Sequence, residues 1–398
     1  MSINIAVITG KRVDPKTGFY TFYEQLVDYL CRNGYEATLH MISLEDKTEI
    51  HTDKKNYIYH ILPNKQSFDK CENVDAIVNY INKEHINVVF NLLWPETPTI
   101  GFFSKLRKKM PTLMMVHLIH GRPDTVLRNK EVFVEENTVA NVKGLKLKLQ
   151  LLLPSIYLFL LKKLVSWRNY TYNKIHNYTI LLSEAYVEDY IKTIDRKVLL
   201  SSIKAIPNPS PLITSSIPIQ KKEKEIIYVG RLSHEKNIDK LIGVWKQLEE
   251  IYPEWKLTIV GDGPEKTALE DKARNEELKH VEFTGWIVPY ERMDRVSILC
   301  LLSKFEGFPS VIMEAAQLGV VPICTDSFNA VRDMIADGKT GFIIPYLDLN
   351  EFESKLRYLM DNENKRIEMA SLGCELVKRY NIENVGKKWL ELLKEKID

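Results

Sequence analysis

Two glutamates, Glu306 and Glu314, stand eight residues apart in "FEGFPSVIMEAAQLG". Pro309 suits the first turn of a helix and Gly319 its stop, which predicts a helix over roughly 309–318. Glu306 then lies in the loop before the helix, and Glu314 more than one turn inside it. The free N–H groups between them would attract an anion. A phosphate held there, with a hydroxylated group on either side, gives both carboxylates hydrogen bonds to accept. A nucleotide sugar has that layout. The plain alternative is a solvated loop acid and a surface helix residue, although the apolar "VIMEAAQL" makes an unpartnered Glu314 costly.

Two further loops point the same way. In "YVGRLSHEKN" a strand ends at Gly230, with Arg231 at the tip and Lys236 near the next helix. A fork and a point charge in one loop suit a phosphate or diphosphate. Incidental bases on a solvated loop are the competing reading. In "IVGDGPE", Gly261 and Gly263 permit unusual dihedrals or a close ligand approach, and Pro264 suits a first helical position.

The spacing E-x(7)-E, preceded by "YVGRLSHEKN", "IVGDGP" and "FTGW", resembles the retaining GT-B glycosyltransferases of glycosyltransferase family 4. The resemblance runs nearly continuously from about residue 225 to 345 and more loosely through the first half, where "LLSEAY" and "IPNP" keep the family's order. It implies that Arg231 and Lys236 bind the donor diphosphate and that Glu314 holds the ribose hydroxyls. Glu306, with Gly307, Phe308 and Pro309, would meet the transferred sugar; Gly261 would line the donor site; Trp286 and Ile287 would lie near the nucleobase. In the first half, Gly18 matches a loop that approaches the donor phosphates and His117 a histidine near the reacting centre, with His120 a competitor for that place. The family often has paired glycines in that loop, whereas "DPKTGFYTF" has one. The resemblance further implies no metal or other cofactor, and no Asp-x-Asp pair is placed to hold a cation.

The elements that must position these residues follow from periodicity. Apolar runs bounded by turn residues alternate with helical segments, the βαβ signature of parallel sheets. Strands are expected at "INIAVITG", "EATLHMIS", "NVVFNLLW", "TLMMVHLIH" and "NYTILLS" in the first half. Six more are expected in the second half: "EIIYVGRL", "KLTIVGDG", "HVEFTGW", "SILCLLS", "GVVPICTD" and "GFIIP". Between them "IPNPSPLITSSIPIQKKEKE" reads as a linker. The expected fold is α/β, of GT-B type, with two Rossmann-like doubly wound domains facing across a cleft. The expected divisions are 1–206, a linker at 207–224, 225–378, and a helix at 379–398 crossing back to the first domain.

A chain of 398 residues is too long for one ordinary core and suits two domains. Apolar content of 45% with a net charge of +2 describes a globular protein with no global pull toward nucleic acid. Five scattered cysteines without a CxxC pair predict reduced thiols and a cytoplasmic location. The opening "MSINIAVITG" reads as a buried strand rather than a signal peptide, and no apolar run is long enough to span a bilayer. Residues 137–183 contain no Asp or Glu, and within 141–174 seven Lys and Arg flank the apolar "LQLLLPSIYLFLL". That segment suits an anionic membrane interface, on the inner face of the cell membrane, or equally a buried helix pair with basic ends.

These readings predict a retaining, metal-independent transferase moving a hexose or N-acetylhexosamine, UDP-linked by family habit. Its acceptor would be a saccharide or lipid-linked molecule of cell-surface polysaccharide. A catalytically silent partner subunit, a nucleotide-sugar epimerase and a phosphorylase are the rivals, and the order of motifs favours the transferase.

Overall fold

The computed structural model describes residues 2–10, 18–44, 57–128, 151–211 and 213–397. It divides into two compact units, residues 1–209 with 382–398, and residues 210–381.

The first unit is built on a parallel sheet of seven strands: β1 (Ser2–Ile8), β2 (Glu36–Ser43), β3 (Tyr57–Ile61), β4 (Val88–Asn91), β5 (Met114–Ile119), β6 (Tyr178–Leu181) and β7 (Ile203–Ala205). Their order is β3-β2-β1-β4-β5-β6-β7. Alternation along β1 shows why both faces are covered. Ile3, Ile5 and Val7 enter one core layer and Ala6 and Ile8 the other, so a strand buried on both faces beyond Asn4 still obeys the two-residue period. The first layer is closed by helices Gly18–Arg32 and Ile382–Ile397. The second is closed by helices Cys71–Lys83, Thr97–Lys109 and the last turns of Pro154–Ile175.

The second unit repeats the plan with six parallel strands: β8 (Glu225–Val229), β9 (Lys256–Val260), β10 (Val281–Gly285), β11 (Ile298–Leu301), β12 (Val321–Thr325) and β13 (Phe342–Ile344), ordered β10-β9-β8-β11-β12-β13. All six contain the strands expected of the second half. In the first half β3 and β7 went unread, because "YIYHI" carries histidine and tyrosines at an edge and "IKA" has three residues. Both sheets have the doubly wound order expected of Rossmann-like domains.

The segment expected as a linker behaves differently. Its residues from Ser210 to 224 belong to the second unit, which runs to Asn381. Asp294 accepts hydrogen bonds from Ser215 and Ser216 and pairs with the buried Lys222 at 2.9 Å. Prolines and serines that cannot form a core are here tied down by one buried carboxylate, which those donors hold at a pKa of about 2 against the pull of burial.

Candidate active site

In a doubly wound sheet, ligands bind beyond the carboxyl ends of the strands, where the strand order reverses. In the second unit that point lies between β8 and β11, and the loops after these strands carry the sequence-predicted residues. Three strand-end loops are stitched by backbone bonds: Gly230 N donates to Val260 O at 3.0 Å, Leu232 N to Asp262 O at 2.9 Å, and Gly261 N to Gly285 O at 2.9 Å. Gly261 sits at φ 146°, and a Cβ there would land on Gly230 O. One at Gly263 would strike the Leu232 backbone. The glycines are thus required by the approach of one loop to the next.

The short helical turn His234–Lys236 ends at Asn237 in the left-handed region, φ 51°. The Asn237 side chain donates to Leu302 O at 2.9 Å, and Lys304 N donates to Glu235 O at 2.7 Å. These two bonds fasten the loop after β8 to the loop after β11. They set Lys236 Nζ 2.6 Å from Glu306 Oε1, which also accepts from Ser303 Oγ at 2.7 Å. Both charged side chains are mostly but not wholly shielded from water. Arg231 is exposed, and its guanidinium pairs with no acid among the described residues.

Helix Ser310–Gln317 starts after Pro309, which is extended at φ −67° and ψ 107°, and stops before Gly319 at φ 70°. Its first backbone N–H groups have no helical carbonyl four residues back, and Ile312 N turns instead to Pro309 O at 3.2 Å. Glu314 is buried on this helix beside the Ser310 hydroxyl, and burial pushes its carboxyl up. Burial and the neighbouring Glu314 push the Tyr290 phenol up to about 12. Gly307 precedes Phe308, whose ring is buried edge-on against Tyr380 with centroids 5.9 Å apart, so only the backbone of Phe308 can serve a ligand. Trp286 is 63% exposed, and Ile287 and Val288 beside it are exposed too, an apolar surface at the end of β10.

The first unit treats its predicted residues otherwise. His117 lies within β5, between Asn91 and Thr179 on the neighbouring strands. Its ring stands edge-on to Tyr172 at 4.7 Å and lies 5.6 Å from His176. Burial drives its pKa well below the ordinary value, and the nearby His176 lowers it further. Its Nδ1 has no hydrogen-bond partner among the described residues. His120, just past β5, meets the Tyr23 hydroxyl at 3.3 Å, and burial lowers its pKa to about 4. Gly18 is the first residue of its helix, and residues 11–17 of the preceding loop lie outside the described residues.

Ser303, Asn237, Ser310 and Tyr290 support the site and were missed in the sequence. Ser303 was readable as a hydroxyl three residues before Glu306, at the end of an apolar strand. The role of Asn237 follows only from its left-handed backbone. No group of three or more His, Cys, Asp or Glu among the described residues is arranged to hold a metal ion, and all five cysteines are free.

Residues 211–373 match the family model "Glycosyl transferases group 1". An uncharacterized glycosyltransferase of Haemophilus influenzae is 26% identical over 58% of this chain and 69% of its own length. A GalNAc-alpha-(1->4)-GalNAc-alpha-(1->3)-diNAcBac-PP-undecaprenol alpha-1,4-N-acetyl-D-galactosaminyltransferase of Campylobacter jejuni is 29% identical over 44% of this chain and 49% of its own. The match to the second of these thus spans about half its length. Among solved structures, the apo lipopolysaccharide outer core galactosyltransferase WaaB superposes with a TM-score of 0.71 at 18% identity, over 99% of this chain and 100% of its own. Anabaena HepE in complex with UDP and glucose gives 0.70 at 14% identity, over 99% and 100%. Residues 211–373 of the second unit thus resemble a glycosyl transferases group 1 domain, and the chain as a whole has the two-unit α/β fold of the GT-B glycosyltransferases.

Proposed function

We propose that this protein is a retaining glycosyltransferase that moves a hexose or N-acetylhexosamine from a nucleotide sugar, UDP-linked by preference, to a saccharide or lipid-linked acceptor in cell-surface polysaccharide synthesis. The observation that carries the reading is the Lys236–Glu306 pair at 2.6 Å, which joins the loops after β8 and β11 at the point where the sheet reverses. The complex of HepE with UDP and glucose supports the choice of nucleotide.

Each residue has a role set by its chemistry. Arg231 and Lys236 neutralise the diphosphate, and the first turn of helix Ser310–Gln317 adds backbone N–H donors. Glu314 accepts from the ribose hydroxyls, and Trp286 and Ile287 flank the base. Glu306, oriented by Lys236 and Ser303, accepts from the hydroxyls of the transferred sugar. The bond from the anomeric carbon to the phosphate oxygen breaks through an oxocarbenium-like state. The acceptor oxygen bonds to the same face, and its proton passes to the departing phosphate. Charge neutralisation by side chains and helix makes the transfer metal-independent. His117 is the first unit's candidate for the reacting centre, with His120 second. A cytoplasmic enzyme, peripheral on the inner face of the membrane, suits a lipid-linked acceptor.

A thermal-shift and nucleotide-release panel of nucleotide sugars, run with EDTA, tests the reading. Stabilisation by one donor with slow release of its nucleotide is the expected result. No response to any donor from folded protein would sink it and bring the silent-partner reading forward.

A further inference from the structure

Helix Pro154–Ile175 packs into the first unit only by its second half, its buried residues beginning at Val165. The first half is apolar yet open. Ile156, Phe159 and Leu160 are 56%, 58% and 60% exposed, and Leu153, Leu164 and Trp167 are exposed with them. Their spacing of three and four residues puts them on one face, opposite Val165, Asn169 and Tyr172. An exposed apolar face this long is uncommon on a soluble monomer and marks an interaction surface.

Charge selects the partner. No Asp or Glu occurs from 137 to 183, whereas Arg168 lies at the edge of this face and Lys174 at its far end. The nearest acid across from the helix, Asp195, is occupied by Lys163 at 2.5 Å and by Ser166. No described helix is long and apolar enough to cross a membrane. An apolar face rimmed by cations, with a tryptophan at its edge and too polar to span, is built to lie in a bilayer surface rather than to cross it.

We infer that the exposed face of helix Pro154–Ile175, from Leu153 to Trp167, docks on an anionic lipid bilayer, with Ile156, Phe159 and Leu160 entering the acyl boundary and Arg168 and Lys174 meeting the headgroups. Vesicle binding needs neither donor nor acceptor, so its failure would leave the transferase reading untouched.

The test is co-sedimentation of the full chain with phosphatidylglycerol-containing vesicles and with pure phosphatidylcholine vesicles at low salt. Binding at least tenfold stronger to the anionic vesicles is expected, weakened at about 1 M salt, where charges are screened within about 3 Å. The Phe159→Asp/Leu160→Asp double variant should bind at least tenfold more weakly. Absence of anionic-vesicle binding by the wild type would overturn the inference, as would equal binding by the double variant. Self-association abolished by the same variant, without vesicle binding, would overturn it in favour of contact between copies. Should the double variant fail to fold, the blue shift of Trp167 emission on adding anionic vesicles, taken as wild type minus Trp167→Phe, decides: a shift supports docking, and none overturns it.

Discussion

In the second unit Lys236 and Glu306 meet on the ends of two strands, partly open to solvent, whereas in the first unit His117 and His176 lie against Tyr172 inside an aromatic layer. Both sheets are parallel and doubly wound, so the contrast comes from the side chains. A carboxylate or ammonium group is buried only with a partner, and its partner must be brought by another loop. An imidazole can shed its proton and sit in an apolar layer at modest cost. Charged residues at strand ends therefore advertise a site, while a histidine in a strand leaves its purpose open.

Four measurements would break or sharpen that contrast, beginning with the largest effect. Glu306→Gln should lower turnover about 100-fold, roughly 3 kcal/mol, while nucleotide binding persists. Unchanged turnover would strip Glu306 of its role. Next comes pH. Burial lowers the pKa of His120 to about 4 and of His176 to about 3. As pH falls through 6.5 the unfolded chain takes up protons that the folded first unit refuses, so stability falls with pH, by about 2 kcal/mol per histidine at pH 5. His40, His60 and His117 are lowered too, and all five belong to the first unit. Hydrogen exchange at pH 5 should show the first unit opening before the second; equal loss of protection in both would contradict this.

Arg231→Ala should weaken nucleotide-sugar binding about tenfold, about 1.4 kcal/mol, and leave stability within about 0.5 kcal/mol, because the side chain is exposed and has no ion pair among the described residues. Calorimetric titration alongside a melt reads both. The smallest effect is expected of Glu314→Gln. Because burial raises the Glu314 pKa, its ionised form weighs against the folded state above the ordinary carboxylate range. The variant should melt no lower than the wild type at neutral pH, by a margin under about 1 kcal/mol, while binding nucleotide more weakly. A lower melting temperature would mean that Glu314 supports the fold.

How much of this was legible follows the same division. All six strands of the second sheet and the Glu306–Glu314 helix could be read, since glycine and proline mark their ends and the apolar runs are continuous. The union of Lys236 with Glu306 could not, because it depends on the left-handed Asn237 and on which strands neighbour one another across 70 residues. Gly261 was read as room for a ligand, and the fold adds a nearer reason in the Gly230 carbonyl. The 207–224 segment looked like free tether because Asp294, which anchors it, lies more than 70 residues further on.

Helix Ile382–Ile397 carries a consequence for how the protein is made. Val385, Trp389, Leu392 and Leu393 complete the core layer that begins with Ile3 and Phe22, and a Cβ at Gly386 would stand 2.6 Å from the Tyr29 ring. Arg32 pairs with Glu383 and Lys204 with Glu395 across the same seam. The ribosome delivers residues 1–209 long before these, so the unit begun first is finished last. Until residue 382 and its successors emerge, the earlier-made sheet waits with one apolar face covered only in part, by helix Gly18–Arg32, a state in which nascent chains are prone to aggregate. A premature stop in the final sixteen codons of this helix would strike at the opposite end of the polypeptide, leaving the second unit to fold beside an unfinished first.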